Sequence, residues 1–73
     1  MNDINGKEIK VGMTVKTQQY GGGILPPSDP KIGVVVKKKH LGEDALMIRY
    51  REENFSFDSY ILLWGKINEI LDV

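Results

Sequence analysis

Residues 32–51 read IGVVVKKKHLGEDALMIRYR and have the clearest strand pattern in the chain. Its first part, residues 32–38, is rich in β-branched side chains and predicts a strand. Its last part, residues 45–51, alternates between apolar and polar side chains, which is the period-two pattern of a half-buried strand. Residues 41–44 lie between the two parts and predict a tight connection. The two strands should therefore form an antiparallel hairpin.

The same stretch assigns a face to each strand. On the first strand we expect Ile32, Val34 and Val36 to point inward, with Gly33 leaving room for a close neighbour or a bulge. On the second strand, one face carries Leu46, Ile48 and Tyr50, and the other carries Met47, Arg49 and Arg51. This pattern predicts one buried side for the hairpin.

The N-terminal segment predicts a turn followed by the first main strand. Asn5 and Gly6 are a strong turn signal, since a type I′ turn needs positive φ at both central residues. After this turn the apolar residues recur at every second position: Ile9, Val11, Met13 and Val15. Gly12 interrupts the alternation and predicts a bend or bulge before the strand.

A long loop is predicted over residues 18–31. The segment 20–30 contains three consecutive glycines and all three prolines of the chain. Because proline lacks a backbone donor and fixes φ, neither a central strand nor a helix is expected there. Loops of this length in compact domains tend to be functional or disordered.

The C-terminal part predicts shorter elements. Residues 52–54 predict a second tight connection, and Phe55 and Phe57 indicate a short strand with both rings on one side. Residues 58–73 allow either one helix, or a helical turn over 59–64 followed by a closing strand over 67–73. The second interpretation is favoured, because strands without a closing partner would leave an exposed edge.

The composition is that of one small domain with balanced charge. The chain has 73 residues, no cysteine and one histidine, which excludes disulfides and argues against a zinc site. Ten basic and ten acidic side chains cancel, but residues 1–42 carry a net charge of about +4 and residues 43–73 about −4. Cross-strand pairing of the two halves is favoured over a bipolar surface.

The sequence lacks the patterns of a membrane span, a signal peptide and a catalytic site. The longest apolar run is too short to span a bilayer, and the first residues do not resemble a signal peptide. With no cysteine, this predicts a cytoplasmic protein. The paired carboxylates lie in polar turns, and His40 has no dyad partner, so no catalytic residue, cofactor or metal site is predicted.

The order of predicted elements carries a family resemblance. A Val-Gly-x-x-Val entry strand, a long first loop and a Gly-Val-Val-Val second strand precede two short hairpins, a helical turn and a final strand. In this order the chain resembles the SH3-like small barrels, which include KOW and Tudor-type modules and the small photosystem I subunit of the reducing side. Segments 10–17, 31–38, 45–51 and 67–73 carry the likeness. It implies one mainly β domain over residues 1–73, with about five strands and a short helical turn near the C-terminus.

The opening segment adds a second resemblance. Residues 3–12, DINGKEIKVG, are similar to the start of many small phage and plasmid proteins with such barrels. Small barrels of this kind bind Pro-rich peptides, methylated tails, RNA, DNA or other proteins, so the fold alone does not select a function.

Two features favour a protein-interaction or regulatory accessory module. The long loop has apolar residues next to its glycines, and it either contacts a partner or folds back over the barrel. The single tryptophan either anchors a partner or packs in the thin core. The candidate partner-binding residues are Tyr20, Gly21, Gly22, Gly23, Ile24, Leu25 and Trp64.

A basic strand end favours an alternative function, nucleic-acid binding of the KOW or Tudor-like type. The candidate phosphate-contacting residues are Lys31, Lys37, Lys38, Lys39, His40, Arg49 and Arg51. The structural explanation for this run is that lysines at a strand end discourage edge pairing. A third interpretation is a homo-oligomer in which an open sheet edge pairs with a second copy.

Overall fold

The computed structural model describes residues 1–19 and 29–71. Its strands are β1 (Thr14–Gln18), β2 (Lys31–His40), β3 (Glu43–Tyr50), β4 (Ser59–Leu62) and β5 (Ile67–Ile70). They form a single antiparallel sheet in the order β4-β3-β2-β1-β5. The described residues contain no helix, and the prediction of a mainly β domain of five strands is confirmed.

The hairpin predicted by residues 32–51 is formed by β2 and β3. His40 pairs with Glu43, and only Leu41 and Gly42 lie between them. Both turn residues have positive φ, 52° and 82°, as a type I′ turn requires. A two-residue turn of this kind fixes the register of the whole hairpin.

The core lies on one side of the sheet, which we call the inner face. Val15, Val35 and Ile48 come from three adjacent strands and are fully buried there. Leu63, which follows β4, and Ile9, from the N-terminal segment, complete the buried cluster. Side chains packed around it are Met13, Leu46, Tyr50, Ile61 and Ile70. The division of β3 into two faces is confirmed, and the face with Leu46, Ile48 and Tyr50 is the one that packs on the core.

The face assigned to β2 is wrong. Val35 is fully buried, whereas Ile32 and Val34 are 56% and 37% exposed. The apolar residues of β2 are consecutive, so the sequence pattern does not show which of them point inward. The close approach predicted at Gly33 is confirmed, since a Cβ built there would lie 2.9 Å from the carbonyl carbon of Arg49.

The helical turn predicted over residues 59–64 is also wrong. Ser59–Leu62 is β4, and it pairs with β3. The edge of β3 supplies backbone hydrogen-bond partners, and these outweigh a nearly helical spacing of apolar residues. The final strand is confirmed as β5, which pairs with β1 but is shorter than predicted and does not close the sheet; residues 72 and 73 lie outside the described part of the chain.

The segment 55–57 is not a strand but part of the connection between β3 and β4. The rings of Phe55 and Phe57 nevertheless pack together, with centroids 5.1 Å apart. Both rings are largely exposed. The prediction that both rings lie close together on one side is therefore right, but the short strand predicted for them is wrong.

The N-terminal turn exists, but its type differs from the prediction. Only Gly6 has positive φ (80°), and its N–H donates to the carbonyl oxygen of Asp3 (3.1 Å). The bend predicted at Gly12 is confirmed, with φ of 96° just before β1. Because the chain changes direction there, Val11 is exposed while Ile9 is buried.

The two edges of the sheet differ. The N-terminal turn covers the outer edge of β5: the N–H of Ile4 donates to the carbonyl oxygen of Asn68 (2.9 Å), and the N–H of Ile70 donates to Asp3 Oδ2 (3.0 Å). β4 forms the opposite edge, and no described strand pairs with its outer side. Since β4 and β5 are not paired with each other, the sheet is not closed into a barrel in residues 1–19 and 29–71.

Candidate functional site

The side of the sheet opposite the core is called the outer face. Directly opposed residues of antiparallel strands lie on the same side of a sheet, so the register identifies its members. One row across β2, β3 and β4 consists of Val34, Arg49 and Tyr60, and the next row consists of Val36, Met47 and Leu62. Ile32 and Lys38 extend the β2 line at its two ends. The same side also carries Ala45, opposite Lys38, and the pair His40 and Glu43 at the hairpin end. The name outer face is used below for the central residues of this side: Ile32, Val34, Val36, Lys38, Met47, Arg49, Tyr60 and Leu62.

This face is apolar where an antiparallel sheet with one solvated side usually carries polar residues. Ile32, Val34 and Tyr60 are 56%, 37% and 42% exposed. Val36 and Leu62 are half-buried beside them. Contiguous apolar surface is a feature of interaction sites on folded domains.

Two cations lie within the apolar outer face. Lys38 Nζ is 3.8 Å from the ring centroid of Tyr60, a close cation–π contact. Arg49 is exposed and lies between Val34 and Tyr60 in their row. Among the described residues, neither Lys38 nor Arg49 forms an ion pair with a carboxylate.

The other predicted nucleic-acid contacts are mostly paired with carboxylates. Lys37 Nζ and Lys39 Nζ lie 3.6 and 2.9 Å from the carboxylate oxygens of Asp44. Lys31 Nζ lies 3.3 Å from Glu52 Oε1. Arg51 contacts Asp58 through Nη2 (3.2 Å) and Nε (3.3 Å).

Strand alternation also divides the basic run. The register places Lys37 and Lys39 on the inner side of the hairpin and Lys38 on the outer face. His40 lies at the hairpin end, opposite Glu43. The seven candidate residues do not form one basic patch. Instead, the positive and negative halves of the sequence interleave, as the favoured interpretation of the charge distribution predicted.

The candidate partner-binding residues of the long loop, 20–25, lie outside the described residues. Trp64 lies within the described part of the chain and is 74% exposed, so the interpretation in which its side chain packs in the core is wrong. Asn68 holds the turn that carries it, since its Nδ2 donates to the carbonyl oxygen of Leu63 (2.9 Å) and its Oδ1 accepts from Thr17 Oγ1. A cleft of about 290 Å³ adjoins the indole and is lined by Met1, His40, Glu43, Asp44, Ala45 and Leu46.

The structure brings these candidates together only in part. Trp64 and His40 line the same cleft at the hairpin end. Arg49 and Lys38 lie on the outer face, and Lys31 contacts the ring of Tyr50 at 5.9 Å from its centroid. The predicted sites are thus spread over several surfaces of the domain.

Sequence reasoning missed the outer face. The signal for it was present in the apolar runs of β2, β3 and β4, where residues 34–36, 45–48 and 60–63 are uncharged and consecutive. Such runs are typical of strands that are covered on both sides. Alternation within a strand indicates only one buried side, so the pattern predicts a single apolar face for each strand.

Neither a cluster of metal-binding side chains nor a membrane-spanning helix is found among the described residues. Residues 1–19 and 29–71 contain no group of three or more His, Asp or Glu side chains that could hold a metal ion. The same part of the chain has no helix long and apolar enough to cross a membrane.

No protein-family model, curated protein or solved structure matches this chain. The described residues form a small all-β fold in which one sheet has the core on one side; on the other side Ile32, Val34 and Tyr60 are exposed and Met47 is buried between its neighbours.

Proposed function

We propose that the chain is a non-catalytic protein-interaction module that contacts its partner through the outer face. The observation that carries this proposal is the exposure of Ile32, Val34 and Tyr60 on one continuous sheet surface. A sheet with apolar residues on both sides is stable in proteins when a layer covers each side. Here the described residues provide one layer, and a partner protein would provide the second.

The fold of the module is proposed to be an SH3-like small barrel. Three features support this: a strand order in which β5 returns beside β1, the long connection between β1 and β2, and the tight β2–β3 hairpin. This barrel would be more open than the resemblance implied, because β4 and β5 are not paired in the described part of the chain.

Nucleic-acid binding has weaker support as an alternative. Most of the proposed phosphate contacts already face a carboxylate within 4 Å, which reduces the local positive field. Titration with single-stranded RNA and with duplex DNA at low ionic strength tests this alternative. A Lys38- and Arg49-dependent complex that dissociates with salt would favour nucleic-acid binding over the proposed function.

The proposed function is tested by comparing exposed apolar residues on two sides of the domain. The immobilised full chain is used to recover proteins from extract of the source cells, and the V34S and Y60S variants are compared with V11S and I4S. Val11 and Ile4 are each 59% exposed but do not belong to the outer face. We expect V34S and Y60S to lose a bound protein that V11S and I4S retain. Equal recovery by all four folded variants would contradict the proposal.

A further inference from the structure

This inference rests on the proposed function and concerns the chemistry of the partner. It starts from the charges of the sheet. Lys16 lies 3.2 Å from Glu69 Oε1, and the other lysines with carboxylate partners on β2 are Lys31, Lys37 and Lys39. Within the described strands, the cations that lack a carboxylate are Lys38 and Arg49. Both belong to the outer face.

The outer face has few negative charges of its own. Glu69, on β5, is engaged by Lys16, and Asp58, which precedes β4, is engaged by Arg51. Glu43 lies at the hairpin end opposite His40, beyond the apolar rows. The centre of the outer face is therefore apolar and carries positive charge without a carboxylate beside it.

Because of the position of Arg49, a partner that covers the apolar residues must also cover its charge. Arg49 lies between Val34 and Tyr60 in one row, so a surface that covers both of these side chains also covers the guanidinium. Removing a cation from water without an anionic partner is strongly unfavourable. A guanidinium also favours a carboxylate geometrically, since it donates two parallel hydrogen bonds to it.

From this geometry we infer that the outer face binds an acidic, apolar segment of another protein, with a carboxylate on Arg49 and apolar side chains on Val34, Val36 and Tyr60. An extended segment repeats its side-chain direction about every 6.8 Å, which is also the spacing between successive rows of the sheet. A partner segment with an acidic residue and, two positions further, an apolar residue on the same side thus matches the Arg49 row and the Met47 row.

A second copy of the chain fits this face poorly. A two-fold axis that passes through the centre of the outer face, near Arg49, would bring the Arg49 side chains of the two copies together. Like charges placed opposite each other disfavour a complex. Charge complementarity therefore selects an acidic partner over self-association.

The inference is tested with a displayed library of random linear peptides selected against the immobilised full chain. We expect the enriched peptides to combine Asp or Glu with large apolar residues. Their affinity should fall ~10-fold or more in R49E and should decrease as salt is raised. K10E is the matched control, since it changes the charge equally at an exposed site outside the outer face.

A charge reversal makes the test stricter. Selection against R49E should enrich basic and apolar peptides in place of acidic ones, while selection against K10E should return the acidic set. Binding that requires Val34 and Tyr60 but shows no acidic preference would overturn this inference and leave the proposed function standing.

Three other outcomes would contradict the inference. Peptides that bind equally to wild type, V34S and Y60S would remove both the inference and the proposed function. A dimer in sedimentation that is lost in V34S would identify a second copy as the occupant. An oligonucleotide complex that is lost in R49E would replace the acidic protein segment with a phosphate backbone.

Discussion

At the scale of single residues, Asp3 connects the N-terminal turn to the sheet. Its Oδ1 accepts hydrogen bonds from the N–H groups of Asn5 and Lys7, each at 2.9 Å, and its Oδ2 accepts one from Ile70. The N–H of Ile70 is the largest of the influences that hold the pKa of the Asp3 carboxyl below its usual range. The ionised form is therefore the one that the folded state favours.

The lowered pKa gives a pH dependence of stability with a definite sign. A carboxyl whose pKa is lower in the folded than in the unfolded state contributes stability above the unfolded value, and this contribution is lost as the pH falls through the folded value. We expect D3N to be less stable than wild type at neutral pH and to lose less stability between neutral and acidic pH. Urea unfolding across that range measures this. D29N, at an exposed aspartate, is the control, and a wild-type profile in D3N would contradict the role of Asp3.

Gly33 provides a second test at this scale. If the site were open, alanine would stabilise the strand, because glycine is the more flexible residue in the unfolded chain. A Cβ at position 33 would instead collide with the backbone carbonyl of Arg49 and lie 3.2 Å from Ile48 Cβ. We expect G33A to lower the free energy of unfolding by about 1–3 kcal/mol and G33V to lower it further. Urea denaturation of both variants decides the sign, and a neutral or more stable G33A would show that the strands do not approach so closely.

At the scale of elements, the β2–β3 turn contains a residue in an unfavourable conformation. Leu41 has φ of 52° and is 92% exposed, so no burial compensates for its left-handed backbone. Asparagine followed by glycine is the preferred pair for a type I′ turn. We expect L41N to be more stable than wild type by about 1 kcal/mol and L41V to be less stable. Thermal unfolding followed by circular dichroism provides the measurement. A destabilised L41N would mean that the leucine side chain has a contact that outweighs the strain.

The elements were predictable where the pattern was local. The alternation in β3 and the glycine-containing turn at residues 41–42 gave the hairpin, since both depend on neighbours in sequence. The face of β2 was not predictable, because Val34, Val35 and Val36 are equally apolar. The strand β4 was missed because its backbone partners belong to β3, and local spacing does not report such partners.

The sequence showed which side chains could form a site, but it did not show how the fold arranges them. The sequence shows Lys37, Lys38 and Lys39 side by side, but the strand geometry directs Lys38 away from the other two. Lys37 and Lys39 share one carboxylate partner, Asp44, and the hairpin register determines that pairing. The sequence pattern also did not show that Trp64 would be exposed, because this depends on the turn that Asn68 holds.

At the scale of the whole molecule, the unpaired cations of the outer face should oppose self-association. We expect sedimentation equilibrium to show a monomer at micromolar concentration and low salt. The double variant K38L/R49L removes both charges from the apolar face and should associate more strongly, since only apolar contact would then remain. A wild-type dimer that is unchanged in this variant would mean that copies pair elsewhere, for example through the outer edge of β4.

We expect the outer face, and not the loop at residues 20–25 or the Trp64 cleft, to contact the partner. The most direct measurement is the change in backbone amide chemical shifts when the protein recovered with the wild-type chain is added to the labelled full chain. The largest changes are expected at Val34, Met47, Arg49 and Tyr60. Changes confined to residues 20–25 and to the surroundings of Trp64 would contradict the claim.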